Sequence, residues 1–389
     1  MTGTLLPGNR VELLQSGSEY FPALLAAIEA ASSEIHLETY IFADDITGRI
    51  VAAALLRAAA RGVVVRVMVD GFGAREFSRG LGKGLIGGGI ELLVYRPDVA
   101  PHHFRRTLRR LHRKLAVIDA RIAFVGGINV IDDMDTPGQT PPRYDYAVRV
   151  EGPLLAGIHA AARHLWQLVK WTNLQHRPLR SRRQLLPIVT PCGDTLAALV
   201  IRDNLRHRRD IEDAYLEAIA TADTEVLIAC AYFLPGWRFR HALEEAAKRG
   251  VRIVVLLQGR VEYALLHYAT QALHGALLKA GIQVFQYHRS FLHAKVAVID
   301  NFWATVGSSN IDPFSLLLAR EANIIVHDAA FAERLRGSLQ RAIDDGAAEL
   351  KVDDLRHRPL LVRLLSWLAY GLVRVLTGVT RYGGKGIRE

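Results

Sequence analysis

The chain has 389 residues, of which half are hydrophobic, with 49 Lys and Arg against 39 Asp and Glu and a formal net charge of +10. These values exclude a disordered chain, a collagen-like fibre and a coiled coil, and the length suits two ordinary domains or one duplicated domain. Its two cysteines, Cys192 and Cys230, are too few for a disulfide-rich scaffold or a Cys-rich zinc module. We expect two reduced thiols in a cytosolic compartment, with one disulfide as the open alternative.

The start of the chain shows no signal-peptide pattern, and no apolar run reaches the roughly 18–20 residues of a membrane-spanning helix. The basic excess favours polyanionic partners, namely nucleic acid, anionic lipid headgroups or phosphate-bearing substrates. Charge alone does not choose among them.

Two parts of the chain repeat the same order of predicted elements. Residues 34–42 are typical of an apolar strand, a helix follows that ends at Gly62, and a second apolar strand begins at Val63. Residues 225–233, a helix ending at Gly250 and a strand from Val251 repeat this βαβ order about 180–190 residues later, which indicates a duplication. Because the strands are continuously apolar, we expect sheets buried on both faces.

The composition also suggests boundaries. We predict a first α/β half over residues 1–173, a basic, proline-bracketed linker over 174–190, a second half over 191–349 and an amphipathic basic tail over 350–389.

One motif occurs once in each half. In the first half His112, Lys114 and Asp119 are followed after six residues by a Gly-x-x-Asn segment that ends at Asn129. The second half has the same spacing in His293, Lys295, Asp300 and Asn310. Two copies with this many shared positions are not a chance match. Since residues i and i+2 of a strand share a face, each histidine projects beside its lysine.

The residue types suit a phosphoryl group. Lysines and asparagine amides can neutralise and hold its oxygens, and a histidine can attack phosphorus or move a proton. We expect the paired glycines to let the backbone approach the ligand. Asp119 and Asp300 belong to the motif and are included among the site residues. However, each aspartate lies an odd number of positions after its histidine, which places it on the opposite face of the strand. We therefore predict that it makes a structural contact or a turn at the strand end.

These motifs resemble the paired HKD motifs of the phospholipase D superfamily. The resemblance implies an α/β fold in which two duplicated halves with mixed sheets pack around one shared active site. It also implies a two-step phosphatidyl transfer without metal or other cofactor, in which His112 is the nucleophile and His293 the general acid and base. Lys114, Lys295, Asn129, Asn310 and Ser308 would then hold the phosphoryl oxygens.

The superfamily also has a carboxylate some 30 residues after each histidine, bonded to the ring nitrogen that does not react. Asp145 and Glu321 stand at these positions. The resemblance therefore implies that they orient the histidines, as the aspartate does in a Ser-His-Asp triad; the alternative is that they are surface carboxylates. We find no His, Cys or carboxylate grouping with metal-ligand spacing, and we expect no metal site.

Substrate is not settled by superfamily resemblance, because members include lipid enzymes and nucleases. Residues 38–48, the Val-Asp-Gly-Phe-Gly segment at Asp70 and the segment from Ser290 look like bacterial cardiolipin synthases, of the shorter type without N-terminal spanning helices. We therefore expect a cardiolipin synthase acting on phosphatidylglycerol, with no nucleic acid as partner. A phospholipase D or nuclease-type phosphodiesterase, or a non-enzymatic scaffold for anionic lipid, are the alternatives.

The tail favours a membrane surface. On a helix of residues 360–379, Arg363, Trp367, Tyr370 and Arg374 cluster opposite a face of leucines, which is typical of an interfacial helix. The alternative is a helix packed on the protein's own core. Five arginines, at positions 105, 106, 109, 110 and 113, would suit lipid headgroups or a nucleic-acid backbone equally. We expect a peripheral protein on the cytoplasmic face of a bacterial inner membrane.

Overall fold

The computed structural model describes residues 3–97, 109–136, 140–173, 185–260, 264–356 and 359–378. The elements of the first half are β1 (Leu6–Gln15), α1 (Ser16–Ala30), β2 (Glu34–Thr39), α2 (Ile46–Ala60), β3 (Val64–Asp70), α3 (Arg75–Arg79), α4 (Leu81–Gly87), β4 (Glu91–Tyr95), β5 (Lys114–Ile118), β6 (Ile122–Gly126), β7 (Tyr146–Glu151) and α5 (Leu155–Thr172).

The elements of the second half and the tail are β8 (Thr195–Arg202), α6 (Asp210–Ala220), β9 (Glu225–Cys230), α7 (Trp237–Lys248), β10 (Arg252–Gln258), α8 (Ala264–Lys279), β11 (Gln283–Tyr287), β12 (Lys295–Ile299), β13 (Trp303–Gly307), α9 (Pro313–Leu317), β14 (Glu321–His327), α10 (Ala329–Gly346), β15 (Ala347–Glu349), α11 (Val352–Arg356) and α12 (Leu360–Gly378).

The predicted βαβ units form for local reasons that the sequence carries. Helix α2 begins where the Asp45 carboxylate accepts a hydrogen bond from the Gly48 backbone N–H at 2.7 Å, which satisfies one of the free donors of the first turn. Gly62 and Gly250 follow α2 and α7 with φ of +90° and +91°, a left-handed conformation that ends a helix at little cost for glycine. Every residue of β2 is buried, as expected of a sheet covered on both faces, although four of its six residues, Glu34, His36, Glu38 and Thr39, are polar.

The two halves have the same strand order. The first runs β1-β7-β6-β5-β2-β3-β4, and the second runs β8-β14-β13-β12-β9-β10-β11, with β15 added at its edge. Strands β2, β3 and β4 are parallel, whereas β2 with β5 and the following pairs are antiparallel, so each sheet is mixed. Antiparallel pairing of β1 with β8 joins the halves into one 15-stranded sheet. The duplicated α/β fold with mixed sheets is confirmed.

The core has one shared cluster and separate outer clusters. Side chains of β5 and β6 meet those of β12 and β13 and helices α5 and α10 in a single cluster of buried residues. Helices α1 and α2 cover the outer face of the first half, and α6 and α7 cover that of the second. Because the shared cluster holds the inner faces together, the starts of β5 and β12 lie at the junction of the halves.

Helix α12 packs on α8 by one face and exposes the other. Val373 is fully buried against Ala269 and Leu273 of α8. The opposite face exposes between 42% and 78% of Leu360, Leu361, Leu364, Leu365, Trp367, Leu368, Leu372 and Val375. The helix therefore packs on the protein, as one of the two sequence alternatives expected, and it leaves its leucine face exposed; the interfacial alternative stays a prediction. Among the described residues, no helix combines the length and apolarity that crossing a bilayer requires.

Candidate active site

Strands β5 and β12 present the two histidine–lysine pairs at the junction. His112 and His293 lie two residues before the first residues of the strands, and their side chains remain 17% and 18% exposed. Lys114 and Lys295 open the strands and are almost fully buried. The Lys114 ammonium donates to the His112 carbonyl at 2.6 Å, and Lys295 bonds to the His293 carbonyl in the same way. Each lysine is therefore held beside its histidine, as the i, i+2 spacing predicts.

Each histidine is bonded to the carboxylate of the opposite half. The Nδ1 atom of His112 lies 2.9 Å from Oε1 of Glu321, and Nδ1 of His293 lies 2.6 Å from Oδ2 of Asp145. The sequence resemblance associated each carboxylate with the histidine that precedes it in its own half, and the structure crosses these pairs. Both carboxylates are buried, so the surface-carboxylate alternative is wrong.

Backbone bonds between the halves enforce this crossing. The His112 N–H donates to the Arg320 carbonyl at 3.0 Å, directly before Glu321. In the same way the His293 N–H donates to the Tyr144 carbonyl at 2.8 Å, directly before Asp145. A second backbone bond accompanies each of these, from Arg320 N–H to the Arg110 carbonyl at 2.8 Å and from Tyr144 N–H to the Phe291 carbonyl at 2.9 Å. Two backbone bonds thus set the position of each histidine–carboxylate pair, and the site is incomplete without both halves.

The electrostatics keep the histidines neutral before substrate binds. Burial lowers the pKa of His112, and burial together with Lys295 lowers the pKa of His293 to about 3. Burial and the charge of Lys295 likewise lower the pKa of Lys114 to about 7. Burial raises the pKa of Asp145, but Lys295 and His293 outweigh it and hold that pKa below its ordinary value. With Nδ1–H donated to a carboxylate, Nε2 of each neutral ring keeps its lone pair.

The two motif asparagines are oriented by bonds to their oxygen atoms. Asn129 Oδ1 accepts from the Ile41 backbone N–H at 3.0 Å, and Asn310 Oδ1 lies 3.8 Å from the Cys230 sulfur. Both asparagines are buried. Because the oxygen is used in each case, the amide nitrogen is the group that each asparagine can turn to a ligand.

Ser308 does not hold a phosphoryl oxygen as expected. Its side chain is fully buried, donates to Glu321 Oε2 at 2.6 Å and accepts from the Ala322 N–H at 3.1 Å. The corresponding residue of the first half is Gly127, where a Cβ would come within 2.3 Å of Asp145 Oδ1. Ser308 therefore binds the carboxylate of Glu321, and Gly127 leaves space for the carboxylate of Asp145. The expectation that the glycine pair makes room for a ligand is wrong at Gly127.

Asp119 and Asp300 lie at the far ends of β5 and β12 and do not join the site. The Asp119 carboxylate accepts backbone N–H bonds from Ser32, Ser33 and Glu34 at 2.8 to 2.9 Å. Asp300 accepts the equivalent bonds, at 2.8 to 3.0 Å, from residues 223 to 225. Both aspartates have φ near +50° in the turn to the next strand. Their inclusion as catalytic residues is corrected, since they secure the start of β2 and of β9.

The arginines that precede the first motif have separate roles where they are described. Arg113 is buried in a bidentate ion pair with Glu38, and Arg110 lies 3.8 Å from the buried carboxylate of Asp70. Arg105 and Arg106 lie outside the described residues. Arg113 is thus a structural residue and not a ligand for headgroups.

A buried cluster of Glu34, His36 and His159 has donor types that could hold a metal ion, and the sequence spacing did not reveal it. The guanidinium of Arg66 already lies 3.1 Å from Glu34 and 3.2 Å from His36. A cation of the protein itself therefore neutralises this carboxylate, and we assign no metal to it.

Sequence reasoning missed one residue beside the nucleophile position. The ring of Tyr40 packs edge-on to His112 with 5.1 Å between centroids, and Lys114 lies 5.6 Å above it. Only its place at the end of the strand before the first turn could have suggested this contact.

The duplicated sheet and the paired histidine–lysine strands define a protein of the phospholipase D class. The crystal structure of phosphatidylserine synthase from Haemophilus influenzae Rd KW20 has the same fold, with a TM-score of 0.70 over 97% of this chain and 96% of that one at 13% identity. The family model described as "Cardiolipin synthase, PLD-like domain" matches residues 24–134 and 215–343.

Relatives extend this match over most of the chain. Cardiolipin synthase B of Shigella flexneri is 42% identical over 347 residues, covering 86% of this chain and 81% of that protein. Cardiolipin synthase B of Salmonella typhi is 39% identical over 378 residues, covering 94% and 88%. The chain belongs to the cardiolipin synthase family of phospholipase D-like phosphatidyltransferases.

Proposed function

We propose that this phosphatidyltransferase is a cardiolipin synthase, which joins two phosphatidylglycerol molecules and releases glycerol through a covalent phosphohistidine. The observation that carries the proposal is the crossed pair of histidine–carboxylate contacts, at 2.9 and 2.6 Å, in one site. The relatives' names supply the product, cardiolipin.

In the first step Nε2 of His112 attacks the phosphorus of the donor. The N–P bond forms as the bond from phosphorus to the glycerol oxygen breaks, and His293 gives its proton to that oxygen. Glu321, bonded to Nδ1 of His112, stabilises the positive charge that the ring gains. His293 must carry a proton at this point. The negative charge of the bound phosphodiester raises its pKa from the low value of the free site.

In the second step a hydroxyl of the second phosphatidylglycerol attacks the adduct. His293, now neutral, takes the hydroxyl proton, the new O–P bond forms, and the N–P bond to His112 breaks. Cardiolipin leaves and both histidines return to their starting states, so protons and bonds balance over the cycle.

The phosphoryl charge is held by the protein's own cations and amides. Lys114 and Lys295 are fixed at the base of the site, and the oriented amides of Asn129 and Asn310 lie in the neighbouring turns. Fixed donors of this kind stabilise charge that develops in a transition state without reorganising.

The decisive experiment is to incubate the purified protein with phosphatidylglycerol vesicles and, separately, with DNA. Equimolar cardiolipin and glycerol, with an acid-labile phosphatidyl adduct on His112, are the expected products. Phosphatidic acid alone would indicate a phospholipase D, DNA cleavage would indicate the nuclease alternative, and lipid binding without products would indicate a scaffold.

We also propose that the protein lies on the cytoplasmic face of a bacterial inner membrane through the exposed leucine face of α12. This face is apolar along the whole helix, and Arg363 and Arg374 are exposed at one edge of it. An apolar face edged by arginines suits an anionic bilayer surface, where leucines enter the acyl boundary and arginines meet the headgroups.

A further inference from the structure

Asp70, at the end of β3, is a buried carboxylate that belongs to neither histidine–carboxylate pair. Its side chain is fully buried, and its Oδ2 atom accepts a hydrogen bond at 2.8 Å from the N–H of Leu111, the residue directly before His112. Its Oδ1 atom accepts from the N–H groups of Phe72 and Gly73 at 2.9 and 3.2 Å. The carboxylate therefore connects the segment that carries His112 to the loop that follows β3.

The surroundings of Asp70 favour its ionised form. Burial raises the pKa of Asp70, whereas the three backbone donors and the guanidinium of Arg110, whose Nη1 lies 3.8 Å from Oδ1, act in the opposite direction. Each of these backbone groups points a hydrogen at the carboxylate, so a proton on Asp70 would displace at least one of them. A buried N–H that loses its acceptor costs free energy, and the geometry therefore holds a negative charge at this position.

The equivalent position of the second half carries no charge. Strands β3 and β10 each have seven residues, and their first residues, Val64 and Arg252, pair with the first residues of β2 and β9. Asp70 and Gln258 are the last residues of these two strands and are therefore equivalent. The Gln258 oxygen accepts from the Arg260 N–H at 3.5 Å, and its Nε2 has no hydrogen-bond partner among the described residues. The duplicated site is thus asymmetric here, with the carboxylate in the half of the proposed nucleophile.

Asp70 also acts on the lysine of the first motif. Burial and the charge of Lys295 lower the pKa of Lys114 to about 7, and the carboxylates of Glu321, Asp145 and Asp70 each oppose this lowering. Glu321 and Asp145 are bonded to the two histidines, whereas Asp70 acts from outside these pairs. Its charge therefore helps to keep Lys114 protonated near neutral pH, where this lysine would hold a phosphoryl oxygen.

We propose that Asp70 is a positioning residue for the nucleophilic step, because it fixes the backbone beside His112 and places a negative charge near Lys114. The assignment rests on the proposed function and deepens it, since it gives a physical reason why the histidine of the first half is the one that attacks. A ring held in position beside a charged lysine needs less reorganisation when the N–P bond forms and the bond to the leaving oxygen breaks.

The test is the pH dependence of adduct formation with a p-nitrophenyl phosphodiester, whose leaving group needs no proton. Asp70→Gln introduces the residue of the second half, and Asp70→Glu has the same length but keeps the charge, so any cost of the longer side chain is common to both. Asp70→Gln is expected to form the adduct about tenfold more slowly than Asp70→Glu. Its alkaline fall in kcat/KM should begin about half a pH unit lower, because Lys114 loses a stabilising charge. Asp70→Asn, compared with wild type, gives the same comparison if the longer side chains prevent folding.

Asp300→Asn is the matched control, because Asp300 also accepts backbone N–H bonds from three residues, at the far end of β12. This variant should lose stability to a similar extent and keep the adduct rate and pH profile of the wild type. The assignment is overturned if the folded Gln and Glu variants of Asp70 have the same adduct rate and the same alkaline fall, since Asp70 would then support the fold alone. If the wild type forms no adduct on His112, the proposed function itself fails, and this assignment with it.

Discussion

Glu321 of the second half lies 2.9 Å from Nδ1 of His112 in the first, and the reciprocal contact joins Asp145 to His293 at 2.6 Å. Each half thus supplies the histidine for one chemical role and the carboxylate for the other. Neither half can orient its own histidine, so the duplication is needed for the chemistry as well as for the fold.

The two histidines are expected to differ in their effect on adduct formation. His112→Ala should abolish the covalent phosphatidyl adduct with every donor, because it removes the proposed nucleophile. His293→Ala should still form the adduct with a p-nitrophenyl phosphodiester, whose leaving group needs no proton. Mass spectrometry of the quenched enzyme measures the adduct, and the reverse pattern would exchange the two roles.

The crossed pairs predict which carboxylate serves which step. Glu321→Gln should slow adduct formation even with the activated donor, by about 10²–10⁴-fold on analogy with triad orienters. Asp145→Asn should slow turnover of phosphatidylglycerol by a similar factor but spare the activated donor, because it orients the acid. Glu349→Gln, at an exposed position, is the control. If the pairs were formed within each half, the two variants would exchange these responses: Asp145→Asn would slow the reaction of the activated donor, and Glu321→Gln would spare it.

Asp119 and Asp300 should matter for stability and not for chemistry. Asp300→Ala leaves three backbone N–H groups without their carboxylate, which should lower the free energy of unfolding by about 1–3 kcal/mol. Burial raises the pKa of Asp300, but these bonds outweigh it and lower that pKa, so its contribution is present above the ordinary pKa and is lost as pH falls through the folded value. Thermal unfolding measures the loss. A large fall in kcat of the folded variant would restore a catalytic role.

The pH dependence of kcat/KM for the p-nitrophenyl phosphodiester should follow Lys114, because this donor needs no proton from His293, whose pKa of about 3 in the free enzyme would otherwise limit the reaction. Below pH 7 this lysine is charged. Because the pKa of His112 is lowered, this histidine stays neutral and nucleophilic at pH values below the ordinary pKa of a histidine. As pH rises through about 7, Lys114 loses its proton in the free enzyme, so phosphate binding and kcat/KM should fall on the alkaline side. Lys114→Arg, which stays charged, should move that limb upwards by more than one pH unit. If the alkaline side of the pH profile does not move in this variant, the fall in kcat/KM belongs to the titration of another group.

The leucine face of α12 should control activity on vesicles alone. Because α12 covers α8, truncating the tail would also uncover Leu273, and substitutions on the exposed face are the cleaner test. Changing Leu361, Leu364, Leu368 and Leu372 to Gln should weaken binding to anionic vesicles by more than about 100-fold, since each buried leucine is worth roughly 1.5–3 kcal/mol. Turnover of a soluble phosphodiester should be unaffected.

Leu205→Gln, at a leucine that is 77% exposed outside α12, serves as the control for this surface. Equal loss of activity on vesicles and on the soluble substrate, with a lowered melting temperature, would show that the face supports folding and not membrane binding.

The sequence by itself determined the duplication, the strands and the two motifs. Strand periodicity places His112 beside Lys114, and the odd spacing places Asp119 on the opposite face of the strand. Glycines with positive φ end the helices. Each of these effects acts within a few residues of chain. Only the tertiary structure decided that Glu321 bonds to His112 and that Ser308 donates a hydrogen bond to that carboxylate. These contacts join residues as many as 209 positions apart across the seam between the halves, where no local pattern carries information about the partner. The same holds for α12: its two faces are visible in the sequence, but packing on α8 decided which of them stays exposed.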